Sequence, residues 1–180
     1  MKKIFSIIDR LATWRGFALL LVLYAVVFGT IIMTLSSLTA LTGGIGILDF
    51  DRGYSVERVR EVFDSYGTEG FALYGRIQLL DLLNPAIYSL IFASLIYLLW
   101  KIRGHRWIVI FPIAAGLLDY CENLTLFFLS RSYPEISSQL VIISSTLSLI
   151  KNVALFGTII VMLIGLFTWF RGKLNTKTNA

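Results

Sequence analysis

Four ionisable side chains lie inside stretches of the sequence that are otherwise almost wholly apolar: Asp81, Asp119, Glu122 and Lys151. A charge at the centre of a membrane-spanning helix costs roughly 2.5–3.5 kcal/mol on insertion scales, so such groups pair with one another or face a wet cavity, and they commonly serve function. Three carboxylates here stand against one ammonium. An unpaired buried carboxylate tends to hold a proton or accept an external cation, so the pattern indicates a buried polar cluster with one of these two properties.

Further polar residues extend each of these positions into a stripe at helical spacing. The stripes consist of Asp81, Asn84 and Tyr88, then Asp119, Glu122 and Asn123, and finally Ser144, Ser148, Lys151 and Asn152. We predict that the three stripes face one interior, in which Lys151 contacts Asp119 or Glu122. Asp81 is expected further out, about 6 Å below the outer membrane interface. Two interpretations remain open: the cluster joins the helices, or it forms a functional cavity.

The composition places these residues in a membrane protein. Of 180 residues, 57% are hydrophobic and only 15% are charged, against about 25% charged in an average soluble domain. A soluble globule of this size leaves about a third of its chain surface exposed and could not hide so much apolar area. We therefore predict an all-α integral membrane protein with a single domain, residues 1–180.

Four stretches reach the roughly 20 apolar residues that a helix needs to cross a bilayer. They span about 16–40, 77–100, 107–130 and 139–170. The last stretch is longer than one crossing requires, so it is expected to tilt or to project beyond the bilayer. Pro85 in the second stretch is expected to kink the helix and free the carbonyl of Asp81.

The cations divide unequally between the two sides of this predicted bundle, ten on one side and five on the other, with Lys151 inside. The larger group is Lys2, Lys3, Arg10, Arg15, Lys101, Arg103, Arg106, Arg171, Lys173 and Lys177, and the smaller is Arg52, Arg58, Arg60, Arg76 and Arg131. The positive-inside rule then places both termini in the cytoplasm. We expect the protein itself to lie in a plasma membrane or a bacterial inner membrane. The bilayer is the expected partner of this basic collar, and a nucleic acid is not.

The segment of about 41–75 forms the outer loop. Ser55 is a good N-cap, apolar residues recur at helical spacing from Val56 to Tyr66, and Gly67 follows where a C-cap glycine belongs. We predict a short amphipathic helix over Val56–Tyr66, at the outer surface or capping the bundle. Asp49 and Asp51 could ligate a hard cation, but they lack the full EF-hand set, so we expect a solvated turn.

The numbers of cysteine and histidine residues exclude several classes of site. The single Cys121 forms no internal disulfide and no Cys-x-x-Cys redox pair. The single His105 excludes haem sites with two histidine ligands and histidine-rich metal cages. We therefore predict no cofactor and no metal site.

Two resemblances bear on the fold. The run from Tyr66-Gly67 to Gly75-Arg76, followed by Asp81, Pro85, Tyr88, Asp119 and Glu122-Asn123, resembles small, uncharacterised four-helix integral membrane proteins. It covers the loop and the second and third spans, and it implies the fold but no activity. The helix count is also similar to that of small multidrug transporters, but those carry an essential glutamate in the first span, which is uncharged here.

Three functions fit the pattern. The first is a transporter or binder of a small cation or an amphipathic amine, with homodimerisation because four helices make a narrow pathway. The alternative is an intramembrane enzyme that modifies a lipid or isoprenoid ligand, since carboxylates beside a lysine suffice for acid–base chemistry. The second alternative is a structural or accessory membrane subunit whose outer loop binds a partner.

Overall fold

The structure, a computed structural model, describes residues 8, 12–51, 53–100 and 106–178. Within these ranges the chain is helical and contains no strand. The helices are α1 (Trp14–Leu41), α2 (Val56–Leu80), α3 (Asn84–Trp100), α4 (Ile110–Ser132) and α5 (Ser138–Thr178), with short 3-10 turns at Leu48–Phe50 and Arg106–Val109. The predicted all-α class is confirmed.

Four stretches are long and apolar enough to cross a membrane: Arg15–Leu41, Val56–Trp100, Trp107–Ser132 and Ser138–Arg171. The second of them includes both α2 and α3. In the first and the last, only 17% and 11% of the most apolar segment is buried, so large apolar side chains cover the outside of the bundle. A soluble monomer rarely exposes so large a continuous apolar surface, whereas lipid-facing helices require one.

The side-chain contacts define the helix directions. Asp119 and Thr125 of α4 contact Lys151 and Ser144 of α5, respectively, so these two helices are antiparallel. The indole nitrogen of Trp100, at the end of α3, donates to the carbonyl of Val161, late in α5. The α1–α2 and α4–α5 connections therefore share one end of the bundle, here called the loop end, where the Tyr133 hydroxyl donates to Asp64.

The start of α1 and the end of α5 lie at the opposite end. This agrees with the predicted topology, in which both termini share one side. Several residues used to predict the orientation lie outside the described residues, namely Lys2, Lys3, Arg10, Arg52, Lys101 and Arg103, and so does His105.

The predicted helix over Val56–Tyr66 is confirmed as the first part of α2. The Ser55 hydroxyl accepts from the Arg58 amide as an N-cap. Val59, Val62 and Phe63 are buried in the main apolar core, so this segment caps the bundle. Gly67 adopts φ 54°, a conformation that favours glycine, and the helix then resumes and runs to Leu80.

The predicted continuous helix over 77–100 is wrong near its start. α2 ends at Leu80 with Asp81 as its C-cap, and α3 begins at Asn84. Pro85 therefore lies in the first turn of a new helix, where proline fits without loss of a hydrogen bond, and it does not kink a helix interior. The carbonyl of Asp81 is free of helical bonding, as predicted, and it accepts from the Asn123 amide at 3.4 Å.

Gly116 allows α4 to approach α3 closely. A Cβ at this position would lie 2.0 Å from Ser89 Oγ and 3.0 Å from the carbonyl oxygen of Pro85. We therefore expect Gly116→Ala to lower the free energy of unfolding by about 1–3 kcal/mol through overpacking, as measured by SDS titration with circular dichroism.

The double variant Ser89→Ala/Gly116→Ala should recover most of that loss. In the wild type the Ser89 hydroxyl is buried and has no hydrogen-bond partner in the described part of the chain, so its removal costs little free energy. Gly75→Ala is the matched control, because a Cβ at Gly75 meets nothing within 4 Å. Equal losses for Gly116→Ala and Gly75→Ala would contradict the close approach.

Candidate ion-binding site

Lys151 lies at the centre of the first part of the site. Its Nζ forms an ion pair with Glu122 and lies 3.4 Å from Asp119 Oδ1. The Tyr88 hydroxyl donates to the other oxygen of Asp119 at 2.8 Å. We call Lys151, Asp119, Glu122 and Tyr88 the lysine centre. The predicted contact between Lys151 and Asp119 or Glu122 is confirmed, and the ammonium contacts both carboxylates.

The lysine centre lies deep in the bundle. Glu122 is 0% exposed and Lys151 is 7% exposed. Asp119 and Lys151 are each thirteen residues from the loop end of their helices, which corresponds to about 20 Å of helix. The ammonium therefore lies well inside the bundle, and its two carboxylate partners neutralise it.

Asp81 forms the second part of the site, away from Lys151. Its two carboxylate oxygens accept from the side-chain amides of Asn84 at 2.9 Å and Asn123 at 2.8 Å. Asn123 is nine residues from the end of α4, about 13 Å of helix, and it holds Asp81 at that level. The predicted depth of about 6 Å below the outer membrane interface stays a prediction.

Asp81 and Asp49 line one small cavity of about 10 Å³, together with Tyr74, Gln78 and Asn123. We call this the acidic cavity. The Tyr74 side chain is 2% exposed. Neither the Tyr74 hydroxyl nor Gln78 Nε2 has a hydrogen-bond partner within the described ranges. Buried polar atoms are normally bonded, so two unpartnered groups beside two carboxylates indicate room for a polar occupant.

Asp49 was expected in a solvated turn, and that interpretation is wrong. The 3-10 turn Leu48–Phe50 buries Leu48 completely and brings Asp49 to the wall of the acidic cavity. Asp51 behaves differently, because it forms an ion pair with Arg58 at 2.9 Å. Both residues are half-buried, and they differ in their surroundings, since Asp49 lines the acidic cavity and Asp51 pairs with Arg58.

Hydroxyl contacts attach the same loop to α5. The Tyr54 hydroxyl donates to Ser144 at 2.6 Å, and the Tyr54 amide donates to Ser145 at 2.9 Å. Ser148 donates to the carbonyl of Asp51 at 3.3 Å. The loop is therefore held over the loop end of the bundle, where it covers the acidic cavity.

Burial, together with the negative charge of Glu122, raises the pKa of the Asp49 carboxyl to about 7. Its ordinary value is 3.8. The folded protein thus binds this proton more tightly than the unfolded chain does. The resulting stabilisation is complete below about pH 4 and is lost as the pH rises towards 7.

We therefore expect Asp49→Asn to flatten the pH dependence of stability between pH 4 and 8. As the pH rises from 4 to 8, the free energy of unfolding of the wild type should fall by on the order of 2 kcal/mol relative to that of the variant. This value is smaller than the full pKa shift implies, because Asp49 is partly exposed to solvent. Unfolding by SDS at a series of pH values measures the difference. Identical pH profiles for the two proteins would contradict the burial of this carboxyl.

Most predicted site residues meet in these two places. Asp119, Glu122, Tyr88 and Lys151 form the lysine centre, with Ser148 beside Glu122. Asp81, Asn84 and Asn123 form the hydrogen-bonded wall of the acidic cavity. The predicted stripe on α5 is wrong at Asn152, which is exposed, because consecutive helical residues point about 100° apart.

Sequence reasoning missed Asp49, Tyr54, Tyr74 and Gln78 as members of the site. Gln78 and Tyr74 lie four residues apart on α2, with Gln78 three residues before Asp81, so a helical-face analysis that began before residue 77 would have found them. No local signal distinguishes Asp49 from Asp51.

Among the described residues, no group of three His, Cys, Asp or Glu side chains converges to hold a metal ion. No protein-family model, curated protein or solved structure matches the chain. The chemistry of the site therefore has to be argued from its geometry alone.

Proposed function

We propose that this protein is an integral membrane protein that binds a small monovalent cation at the acidic cavity in exchange for a proton, as a cation transporter does. The observation that carries the proposal is the surplus of carboxylates. Asp119 and Glu122 contact the ammonium of Lys151, and Asp49 and Asp81 line the separate acidic cavity. Lys151 already pairs with Asp119 and Glu122, so among the described residues Asp49 and Asp81 have no cationic partner.

Hydrogen bonds fix the carboxylate of Asp81 at the wall of the acidic cavity. Two amide groups donate to its two oxygens. Asp49 contributes the proton that is exchanged, because burial raises its pKa to about 7. Asp49 is therefore partly protonated near neutral pH. A bound cation would displace the Asp49 proton.

The size of the acidic cavity favours an inorganic cation over an amphipathic amine. A volume of about 10 Å³ is close to the minimum that one water molecule needs. A sodium-sized ion fits such a space, with oxygens of the two carboxylates and of Tyr74 within reach. An alkylated amine needs a far larger pocket, and drug-sized ligands occupy roughly 300–1,000 Å³.

The test measures proton release when sodium, potassium or choline chloride is added to the purified protein in weakly buffered detergent at pH 7. We expect release with an alkali cation, little with choline, and a loss of release in Asp81→Asn and Asp49→Asn. Proteoliposomes loaded with a pH indicator extend the test to transport, in which an imposed cation gradient should move protons.

Glu69→Gln is the matched control, because Glu69 is an exposed carboxylate on the same helix as Tyr74 and Gln78. It should release protons as the wild type does. Equal release from the wild type and Asp81→Asn would overturn the proposed site. Release with choline but not with sodium or potassium would favour an organic amine as the ligand and overturn the inorganic cation.

A further inference from the structure

A long groove separates α2 from α4 on the outside of the bundle. It has a volume of about 590 Å³ and is lined by Leu79, Leu82, Leu124 and Phe127, with Arg76 and Arg131 also on its walls. All four apolar side chains are exposed, from 39% for Phe127 to 69% for Leu79. The groove is thus an open apolar channel that faces whatever surrounds the bundle.

The two arginines give the groove a positive charge. Arg76 and Arg131 are both exposed, and in the described part of the chain neither forms an ion pair with a carboxylate. The Arg131 guanidinium lies 5.2 Å above the ring centre of Phe127. Arg58 shows the contrast, because it pairs with Asp51 and Glu61. The groove therefore offers two cations and no anion.

The dimensions of the groove match an acyl chain. Arg131 lies next to the loop end of α4, and Tyr120, at the far end of the groove, lies eleven residues earlier. Eleven residues of helix cover about 16 Å, roughly half of a hydrocarbon core. An extended chain with its polar group at the arginines would thus stay within one leaflet.

We propose that this groove binds an anionic phospholipid, with its phosphate at Arg76 and Arg131 and one acyl chain along Leu79, Leu82, Leu124 and Phe127. The site rests on the membrane location proposed above but not on cation binding. Charge complementarity selects this occupant, because guanidinium groups favour phosphate and basic pockets between transmembrane helices bind anionic headgroups. An amphipathic amine would meet two like charges here.

Native mass spectrometry of the detergent-purified protein, mixed with equal amounts of phosphatidylglycerol and phosphatidylcholine, tests the headgroup preference. The wild type should retain phosphatidylglycerol preferentially. Arg76→Gln and Arg131→Gln should each lower that preference about fivefold. Arg60→Gln, which removes an exposed arginine of α2 outside the groove, should leave the preference unchanged.

Gly75→Leu tests the acyl chain separately. Gly75 lines the groove, and a Cβ there meets nothing within 4 Å, so a leucine fills the channel without disturbing the fold. It should reduce retention of both lipids, whereas Gly29→Leu, at an equally open position on α1, should not.

Three results would overturn the lipid site. The first is equal retention of the two lipids by the wild type. The second is unchanged retention in Gly75→Leu together with displacement of the lipid by inorganic phosphate, which indicates a simple anion site. The third is a shift from dimer to monomer in the arginine variants without loss of lipid, which assigns the groove to a second copy of the chain. Solubility after carbonate washing would instead contradict the membrane location itself.

Discussion

Replacing Lys151 with Met is expected to lower the free energy of unfolding by about 3–5 kcal/mol, the usual cost of removing one partner of a buried ion pair. Methionine has a side chain of similar length and no charge, so the change tests the effect of removing the ammonium group. It leaves Glu122, which is 0% exposed, and Asp119 without their cation. SDS titration followed by circular dichroism measures the loss.

The second change, Glu122→Leu in the Lys151→Met background, should recover much of this loss because it removes the stranded charge. Asp119 retains the Tyr88 hydroxyl as a donor in the double variant. The loss in the single variant should also shrink on acidification, since a stranded carboxylate is neutralised by a proton.

Arg171→Met is the matched control, because Arg171 is an exposed cation on the same helix. It should change stability by less than about 1 kcal/mol. A harmless Lys151→Met, or a double variant no more stable than the single one, would contradict the role of the lysine centre in holding α4 against α5.

Phe63→Ala should produce a loss of similar size, about 3–5 kcal/mol. Phe63 is 1% exposed. Its ring centre lies between 5.6 and 6.1 Å from those of Tyr66, Phe71, Tyr74 and Tyr133. The substitution removes the centre of this aromatic group and with it the packing of α2 against the loop end.

The same variant should affect the acidic cavity at a distance. Tyr74 belongs both to the aromatic group and to the cavity wall, so a loosened α2 admits water to Asp49. The pH dependence of stability that is assigned to Asp49 should therefore weaken in Phe63→Ala. Phe50→Ala, which truncates a 65% exposed ring in the covering loop, is the control and should change neither stability nor its pH dependence by much.

The sequence by itself determined the helical class, the apolar stretches and the pairing of Lys151. Apolar length and 3.6-residue periodicity are local properties, and they act on each helix before any helix meets another. The pairing followed from one strong constraint, because an ammonium buried so deeply must contact an anion and α4 carried the anions at the right depth. The helix over Val56–Tyr66 was predictable because its signals are also local: the Ser55 cap, the apolar stripe and Gly67 all lie within a few residues of one another.

Only the tertiary structure decided which carboxylates share a cavity. Asp49 and Asp51 have the same local pattern, but Leu48 is buried against distant helices and Asp49 lines the acidic cavity, whereas Asp51 pairs with Arg58. The break between Leu80 and Asn84 was hidden because a proline inside an apolar run predicts either a kink or a new helix. At this break the side-chain amide of Asn123 in α4 donates to the carbonyl and carboxylate oxygens of Asp81, a contact between residues 42 positions apart.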